Sequence, residues 1–272
     1  MVTYVRNSWQ VAYASVYSLI IRDIQTRFIK SVNTYRPLAF FWIILEPLLH
    51  IGIWLFLRYL TGRNVSLSAL SLPVFILLGA IPFFLFRDIT SASRKKIKAN
   101  KGYYLFRQVK PIDPFISGLL SELMVNAFVF LVILVLFTWF NVAWHIYDLT
   151  YWMLNLVFYS MFLLGFSLII SIACYFFNFI DVVVTAFNRF SYILSGIFFT
   201  AAQLNEPVRS IMLYNPVFQF IEISRNCFMP PDSYIVYASS SYLCVCGLVS
   251  LLLGLSLYLV SRGKIMREIE ER

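Results

Sequence analysis

Long apolar stretches separated by short polar segments recur along the whole chain, and they determine its predicted architecture. A helix that crosses the hydrocarbon core of a bilayer needs about 20 predominantly apolar residues. Six stretches are of about this length, namely 38–59, 70–86, 115–140, 151–177, 182–201 and 234–260. The pattern therefore predicts an all-α polytopic membrane protein, in which residues 38–260 form one domain with six transmembrane helices.

The composition agrees with this pattern. Hydrophobic residues make up 60% of the chain and charged residues only 13%, whereas a soluble domain carries about 25% charged residues. The first span contains an acid, Glu46, together with 13 Leu, Ile and Phe residues. Those apolar residues favour insertion by about 4 to 8 kcal/mol, against about 3 kcal/mol for one central acid, so the stretch is still predicted to span.

The distribution of Lys and Arg predicts the orientation of the six helices. If the helices alternate sides from a cytoplasmic start, all but four of the 22 Lys and Arg residues fall on the cytoplasmic side, as the positive-inside rule requires. The four on the opposite side are Arg58, Arg63, Arg209 and Arg225. Both termini are therefore predicted in the cytoplasm, and the formal charge of +9 follows from topology without a nucleic-acid partner.

The cytoplasmic N-terminal segment 1–37 carries an amphipathic pattern. One helical face is apolar, and its residues are Val16, Leu19, Ile20, Ile24, Phe28 and Ile29. Arg22, Asp23 and Arg27 fall mostly on other faces. This pattern predicts a helix lying in the cytoplasmic interface, with its cations near anionic membrane lipids.

Residues 87–110, between the second and third spans, contain eight cations. Ordinary positive-inside topology would explain them. Residues 91–101, however, are compatible with a helix, and this favours a short cytoplasmic helix able to receive force from a partner. Both interpretations stay open at the level of the sequence.

Residues 200–233, between the fifth and sixth spans, are too many for a tight turn and too apolar for a free loop. Tyr214, Asn215 and Pro216 interrupt the apolar residues. An apolar segment of 10 to 14 residues is more often re-entrant or interfacial than a full crossing. The pattern predicts two short half-helices that enter from the outer face, and residues 261–272 form a cytoplasmic tail.

The sequence contains no set of residues that predicts catalysis, a metal site or a cofactor site. The phosphate-binding pattern GxxxxGK[ST] is absent, as are GxSxG and HExxH. Glu46 and His50 are four residues apart and share one face of the first span. Glu46 either bonds another helix and fixes packing or takes part directly in a transport pathway.

Five motifs resemble the transmembrane permeases of type 2 ABC exporters, and among them the capsular-polysaccharide exporters of Gram-negative bacteria. They are RDIQTRF at 22–28, FFWIILEPLLH at 40–50, LPVFILLGAIPFFLF at 72–86, IKANKGYYLFRQVKPIDP at 97–114 and YNPVFQFIEISRNCFMP at 214–230. The resemblance runs over essentially the whole chain. It implies a homodimer in the bacterial inner membrane, bound to two copies of a separate ATPase that holds ATP and Mg²⁺.

The resemblance also implies a substrate and further partners. The substrate would be a lipid-linked, usually acidic polysaccharide that passes through a channel at the dimer centre towards periplasmic adaptor and outer-membrane export proteins.

Three groups of candidate site residues follow. The coupling candidates towards the ATPase are Arg22, Arg27, Arg94, Lys95, Lys96, Lys98 and Asn100. The translocation candidates are Trp42, Glu46, His50, Trp54 and Arg58, because sugar rings stack on aromatic faces. The outer re-entrant candidates are Tyr214, Asn215, Pro216, Glu222 and Arg225.

Other function classes fit the sequence less well. Within the exporter class, only the recognised motifs favour capsule export over O-antigen or teichoic-acid export. A stand-alone secondary transporter or channel would need inverted repeats or several charged residues deep in the spans, and inspection finds neither. A membrane-embedded transferase would need a catalytic acid or His set at one interface, which the sequence does not supply.

Overall fold

A computed structural model describes residues 8–30, 36–61, 70–104, 106, 108–231, 233 and 236–270. Within these ranges the regular secondary structure is entirely helical. Its α-helices are α1 (Ser8–Lys30), α2 (Arg36–Thr61), α3 (Leu72–Ala99), α4 (Lys101–Tyr104), α5 (Asp113–Trp139), α6 (Leu149–Phe176), α7 (Phe179–Leu194), α8 (Glu206–Met212), α9 (Pro216–Cys227) and α10 (Ser240–Glu270). A short 3-10 helix, Ala201–Gln203, lies between α7 and α8.

Four of the described helices are long and apolar enough to cross a membrane: α3, α5, α6 and α10. They correspond to the predicted spans 70–86, 115–140, 151–177 and 234–260, which are confirmed as helices of this kind. The predicted spans 38–59 and 182–201 correspond to α2, whose apolar part is Phe41–Leu57, and to the 16-residue α7. Six spans therefore remain a prediction.

The predicted end of the fifth span at residue 201 is wrong, because α7 ends at Leu194. Gly196 adopts φ +80°, a left-handed conformation that stops the helix and that glycine tolerates best. A side chain at this position would also collide with the Phe218 ring. The chain then turns back and leads into the 3-10 helix.

Residues 91–99 are helical, as the second interpretation of this segment expects, but they continue α3 without a break and do not form a separate short helix. Residues 83–99 contain neither glycine nor proline, and several of the polar side chains there bond to neighbouring helices. A turn at Asn100 separates α3 from the four-residue α4. Similarly, α10 runs on to Glu270, so the predicted tail 261–272 is largely a continuation of the last helix.

Helix α3 forms the centre of the bundle. All its residues from Val74 to Phe86 are buried, and it contacts α2, α5, α6, α7 and α9. Residues 72–86 are apolar all round, and a helix of that kind is stable only when it is enclosed on every side. The core of the protein therefore lies around α3.

Helices α6 and α10 pack backbone against backbone through glycines. A Cβ atom at Gly254 would lie 2.6 Å from the carbonyl oxygen of Gly165, and one at Gly247 would lie 2.7 Å from that of Phe158. At the same contact, Ser250 donates a hydrogen bond to the carbonyl oxygen of Phe162 at 3.0 Å. Small residues at such contacts are typical of membrane helix pairs.

Replacing Gly254 by leucine is expected to lower the melting temperature of the detergent-solubilised protein. The larger side chain must push the two helices apart, and overpacking of this kind costs about 1 to 3 kcal/mol. Gly263 lies on the same helix and would have no heavy atom within 4 Å of an added Cβ, so Gly263→Leu is the matched control. Equal melting temperatures for the two variants would contradict the close contact.

Helix α1 packs against α5, and its orientation differs in part from the predicted one. Leu19 of the predicted apolar face is buried. Arg22 and Asp23, predicted mostly elsewhere, are half-buried towards α5 and the end of α3. The exposed side is a stripe of Trp9, Tyr13 and Tyr17 at a spacing of four residues, which is an aromatic surface of the kind found at membrane interfaces.

Candidate functional site

A partly exposed polar cluster lies where α2, α3 and α7 meet. Arg87 of α3 donates to Glu46 of α2 at 2.6 Å and to its neighbour Asp88 at 2.9 Å. Its guanidinium also lies 4.7 Å from the centre of the Phe84 ring. The acid of the first predicted span is therefore paired with a cation of the next helix, which lowers the cost of its burial.

Polar contacts between α3 and α7 continue towards the C-terminal end of α3. Arg94 donates to Asp181 at 3.1 Å and to Thr185 at 2.6 Å. Asn188 accepts a hydrogen bond from Thr90 at 2.9 Å and donates one to Ser91 at 3.1 Å. Both helices present these groups every three or four residues, so the contacts form one continuous seam.

Two cavities lie along this seam. One of about 490 Å³ is lined by residues that include Glu46, Arg87 and Arg189, and one of about 460 Å³ includes Lys98 and Asp181. Arg94 lines both cavities. We call this region the α3–α7 groove; its cations, hydroxyls and amides suit a hydrated ligand that carries negative charge.

The translocation candidates are only partly brought together. Glu46 and His50 both line the groove, and His50 forms a hydrogen bond with Tyr192 of α7. Trp54 stacks on Phe198 with ring centres 4.2 Å apart. Trp42 is mostly exposed and lines a smaller space of about 170 Å³ beside Glu46. The side chain of Arg58 lies outside the described residues.

Two of the coupling candidates meet between α1 and the end of α3. Arg22 donates to Asn100 at 2.7 Å, and its guanidinium lies 4.6 Å from the centre of the Tyr103 ring. Burial lowers the pKa of Arg22, but the hydrogen bond and negative charge of Asp23 more than offset this and raise the pKa above its usual value. The guanidinium of Arg22 is therefore charged and is held at this contact by its hydrogen bonds.

The basic coupling candidates of α3 lie on different sides of the helix. Arg94 points towards α7, whereas the ammonium of Lys96 lies beside Gly118 of α5. Lys95 and Lys98 are exposed. Successive helical residues point about 100° apart, so neighbours in sequence do not share a surface. The side chain of Arg27 lies outside the described residues.

The outer candidates form one compact unit. Asn215 caps α9 by accepting from the backbone N–H of Val217 at 3.0 Å, and Pro216 is the first residue of that helix. Tyr214 is exposed, and its carbonyl accepts from Tyr242 at 2.9 Å. Two short helices, α8 and α9, are present as expected, but their entry from the outer face of a membrane remains a prediction.

Among the outer candidates, Arg225 lies in the protein core. Its side chain is 1% exposed and that of Glu222, 3.2 Å away, is 2% exposed. Arg225 also donates to the carbonyl oxygens of Ile197 at 2.8 Å and Phe199 at 2.9 Å. The pair thus ties α9 to the segment after α7.

The sequence analysis did not identify the polar residues of α7, which are Asp181, Thr185, Asn188 and Tyr192. Their spacing of three or four residues within an otherwise apolar stretch was the available signal. Among the residues that the structure describes, no group of His, Cys, Asp and Glu could hold a metal ion.

The chain matches no protein-family model, but several curated proteins are similar to it over nearly its full length. It is 33% identical over 258 residues to the polysialic acid transport protein KpsM of Escherichia coli, which covers 93% of this chain and 95% of that protein. The capsule polysaccharide export inner-membrane protein CtrC of Neisseria meningitidis is 27% identical over 242 residues, with 88% of each chain covered. The chain belongs to the family of capsule polysaccharide export inner-membrane proteins.

Other members of this family match to a similar extent. The capsule polysaccharide export inner-membrane protein BexB of Haemophilus influenzae is 27% identical over 250 residues, again with 88% of each chain covered. These matches extend over the domain as a whole and are not confined to one motif. The family resemblance seen in the sequence is therefore confirmed.

Proposed function

We propose that this protein is the membrane-spanning subunit of an ABC exporter that moves a lipid-linked capsular polysaccharide across the inner membrane. The observation that carries the proposal is the match of 93% of the chain to a transport protein. Four membrane-spanning candidates and relatives named as inner-membrane proteins make it a multi-pass protein of that membrane. The subunit transports and does not itself catalyse a reaction.

The α3–α7 groove is the proposed place for the polysaccharide. It supplies arginine donors, hydroxyls and aromatic rings within an otherwise apolar bundle, and these groups suit acidic sugars. Next to it, α2 and α7 expose Phe56, Tyr59, Val182 and Phe190. In the proposed homodimer, a second copy covers this side and closes the groove into a channel that leads to periplasmic adaptor and outer-membrane export proteins.

An ABC exporter with this subunit needs a separate ATPase, because the sequence has no phosphate-binding loop of its own. We propose two copies of a separate ATPase, which bind ATP and Mg²⁺ and dock on the cytoplasmic side. Lys95, Lys98 and Ala99 are exposed at the end of α3, next to the contact between Arg22 and Asn100. In this arrangement six helices span the membrane, α2 and α7 among them, and both termini are cytoplasmic.

Charge reversal at the end of α3 is expected to release the ATPase. The tagged chain is co-expressed with an ATPase encoded beside it and purified in mild detergent, with Lys95→Glu and Lys98→Glu as paired changes. Reversal of both surface cations replaces attraction by repulsion of an acidic partner surface, so retention of the ATPase should fall by at least about tenfold, or about 1.4 kcal/mol. Arg267→Glu, at the exposed end of α10, is the control and should retain it.

Two other outcomes bear on the proposal. Full retention in the Lys95 and Lys98 variant would move the docking site away from the end of α3. A stable wild-type chain that never retains an ATPase would contradict the exporter, and a stand-alone transporter would then be the better interpretation.

A further inference from the structure

A second polar cavity, of about 730 Å³, lies between α1, α3 and α5. It is on the α5 side of α3, whereas the α3–α7 groove faces α2 and α7. The walls include Arg22 of α1, Lys96 of α3, Asn100 in the turn after α3, Tyr103 of α4 and Ser121 of α5. The cavity thus joins the amphipathic helix to two of the membrane-spanning candidates.

Lys96 extends into a space that α5 leaves free for it. A Cβ atom at Gly118 would collide with the Lys96 ammonium, so a larger residue there would displace the end of the lysine side chain. The ammonium lies 5.7 Å from the centre of the Phe115 ring. With the described part of the chain it forms no hydrogen bond and no salt bridge, although an unpaired charge in such a position is costly.

Ser121 provides a second group without a partner in the same cavity. Its side chain is 6% exposed, and its hydroxyl oxygen has no hydrogen-bond partner among the described residues. Ser121 lies one helical turn after Gly118, so its hydroxyl is on the same face of α5 as the space for Lys96. A buried hydroxyl and an ammonium that both lack partners indicate a missing ligand.

Three carboxylates also line the cavity, those of Asp23, Asp88 and Glu122. Asp23 accepts from Arg22 at 2.6 Å and from Ser117 at 3.3 Å. Asp88 accepts from Arg87 at 2.9 Å. Asp88 lies two helical turns before Lys96 on α3, whereas Glu122 directly follows Ser121 on α5. The negative charge of Asp23 acts on both Arg22 and Lys96, so one positive charge is left at the end beside Lys96 and Gly118, which we call the cationic end.

We propose that the cationic end of this cavity binds a phosphate group, with Lys96 and Ser121 as its direct ligands. An ammonium and a hydroxyl donate to phosphate oxygens in charge-assisted hydrogen bonds. The phosphate comes from a phospholipid headgroup or from soluble phosphate, and the two sources share this chemistry. A bound phosphate would connect α1, α3 and α5 beside the contact of Arg22 with Asn100.

The experiment uses the full chain, delipidated in a detergent without phosphorus and measured by native mass spectrometry. Phosphatidylglycerol and a chain-matched diacylglycerol, which lacks the phosphate, are titrated separately. The wild-type protein should bind phosphatidylglycerol at an about tenfold lower concentration than diacylglycerol. Lys96→Gln and Ser121→Ala should each remove most of this preference.

Lys264→Gln is the matched control, because Lys264 is an exposed lysine of α10 outside the cavity, with its ammonium 5.1 Å from the centre of the Phe176 ring. It should bind phosphatidylglycerol as the wild type does. Displacement of the lipid by millimolar inorganic phosphate would assign the site to soluble phosphate, and persistence would assign it to the headgroup. Two outcomes would overturn the site. One is that Lys96→Gln and Ser121→Ala prefer phosphatidylglycerol as strongly as the wild type does. The other is that the wild type binds phosphatidylglycerol and diacylglycerol equally.

Discussion

Replacing Arg225 by methionine is expected to destabilise the protein more than any other single change considered above. Removal of one partner of a buried ion pair leaves the other charge uncompensated, at a cost of about 3 to 5 kcal/mol. In this protein Glu222 would be left 2% exposed, and the carbonyl oxygens of Ile197 and Phe199 would lose their donor. We expect most of the variant to be lost to aggregation in detergent.

Size-exclusion profiles after heating give the measurement, and two further variants test the cause. Arg209 pairs with Glu206, whose side chain is 77% exposed, and donates to the carbonyl oxygen of Leu204 at 2.8 Å, so Arg209→Met should cost about 1 to 2 kcal/mol, less than Arg225→Met. The double change of Glu222 and Arg225 to methionine removes both charges, and similar replacements in other proteins are neutral or stabilising. If the double variant is as unstable as Arg225→Met alone, loss of the ion pair is not the cause.

The apolar core of the helices could be predicted from the sequence because hydropathy is a local property. The ends of α3 and α7 could not, since they depend on contacts between helices. The charges that follow residue 86 read as the end of a span, yet Arg87 and Arg94 find Glu46 and Asp181 on neighbouring helices. Helix α3 can therefore continue where its sequence becomes polar.

The candidate site could be predicted in part, for a similar reason. Glu46 and His50 were identified from their spacing on one helix, and both line the groove. Arg225 was assigned to the outer side from its position between two apolar stretches. Its burial requires the carbonyl oxygens of residues 197 and 199, which are far away in sequence, although Glu222 three residues earlier was a local signal of pairing.

The pair of Arg87 and Glu46 is expected to be required for export and not only for packing. Arg87 lines the α3–α7 groove, and its side chain is 31% exposed while that of Glu46 is 37% exposed, so a hydrated anion has access to both. Arg87→Gln should lower capsule export by at least about tenfold, equivalent to about 1.4 kcal/mol of lost interaction. Surface labelling of capsule in a strain that lacks the native subunit measures the effect.

A double neutral variant separates the two roles of this pair. Glutamine at both positions 46 and 87 keeps a hydrogen bond between α2 and α3 but removes the two charges. If the pair serves packing alone, the double variant should fold and export normally. The single change Glu46→Gln is less informative, because it leaves the charge of Arg87 with one carboxylate fewer. If Arg87 contacts an acidic glycan, the wild-type arginine exchanges the carboxylate of Glu46 for a carboxylate of the substrate. The double variant lacks this cation, so it should reach wild-type amounts in the membrane and still fail to export. Normal export by the double variant would therefore remove Arg87 from the pathway.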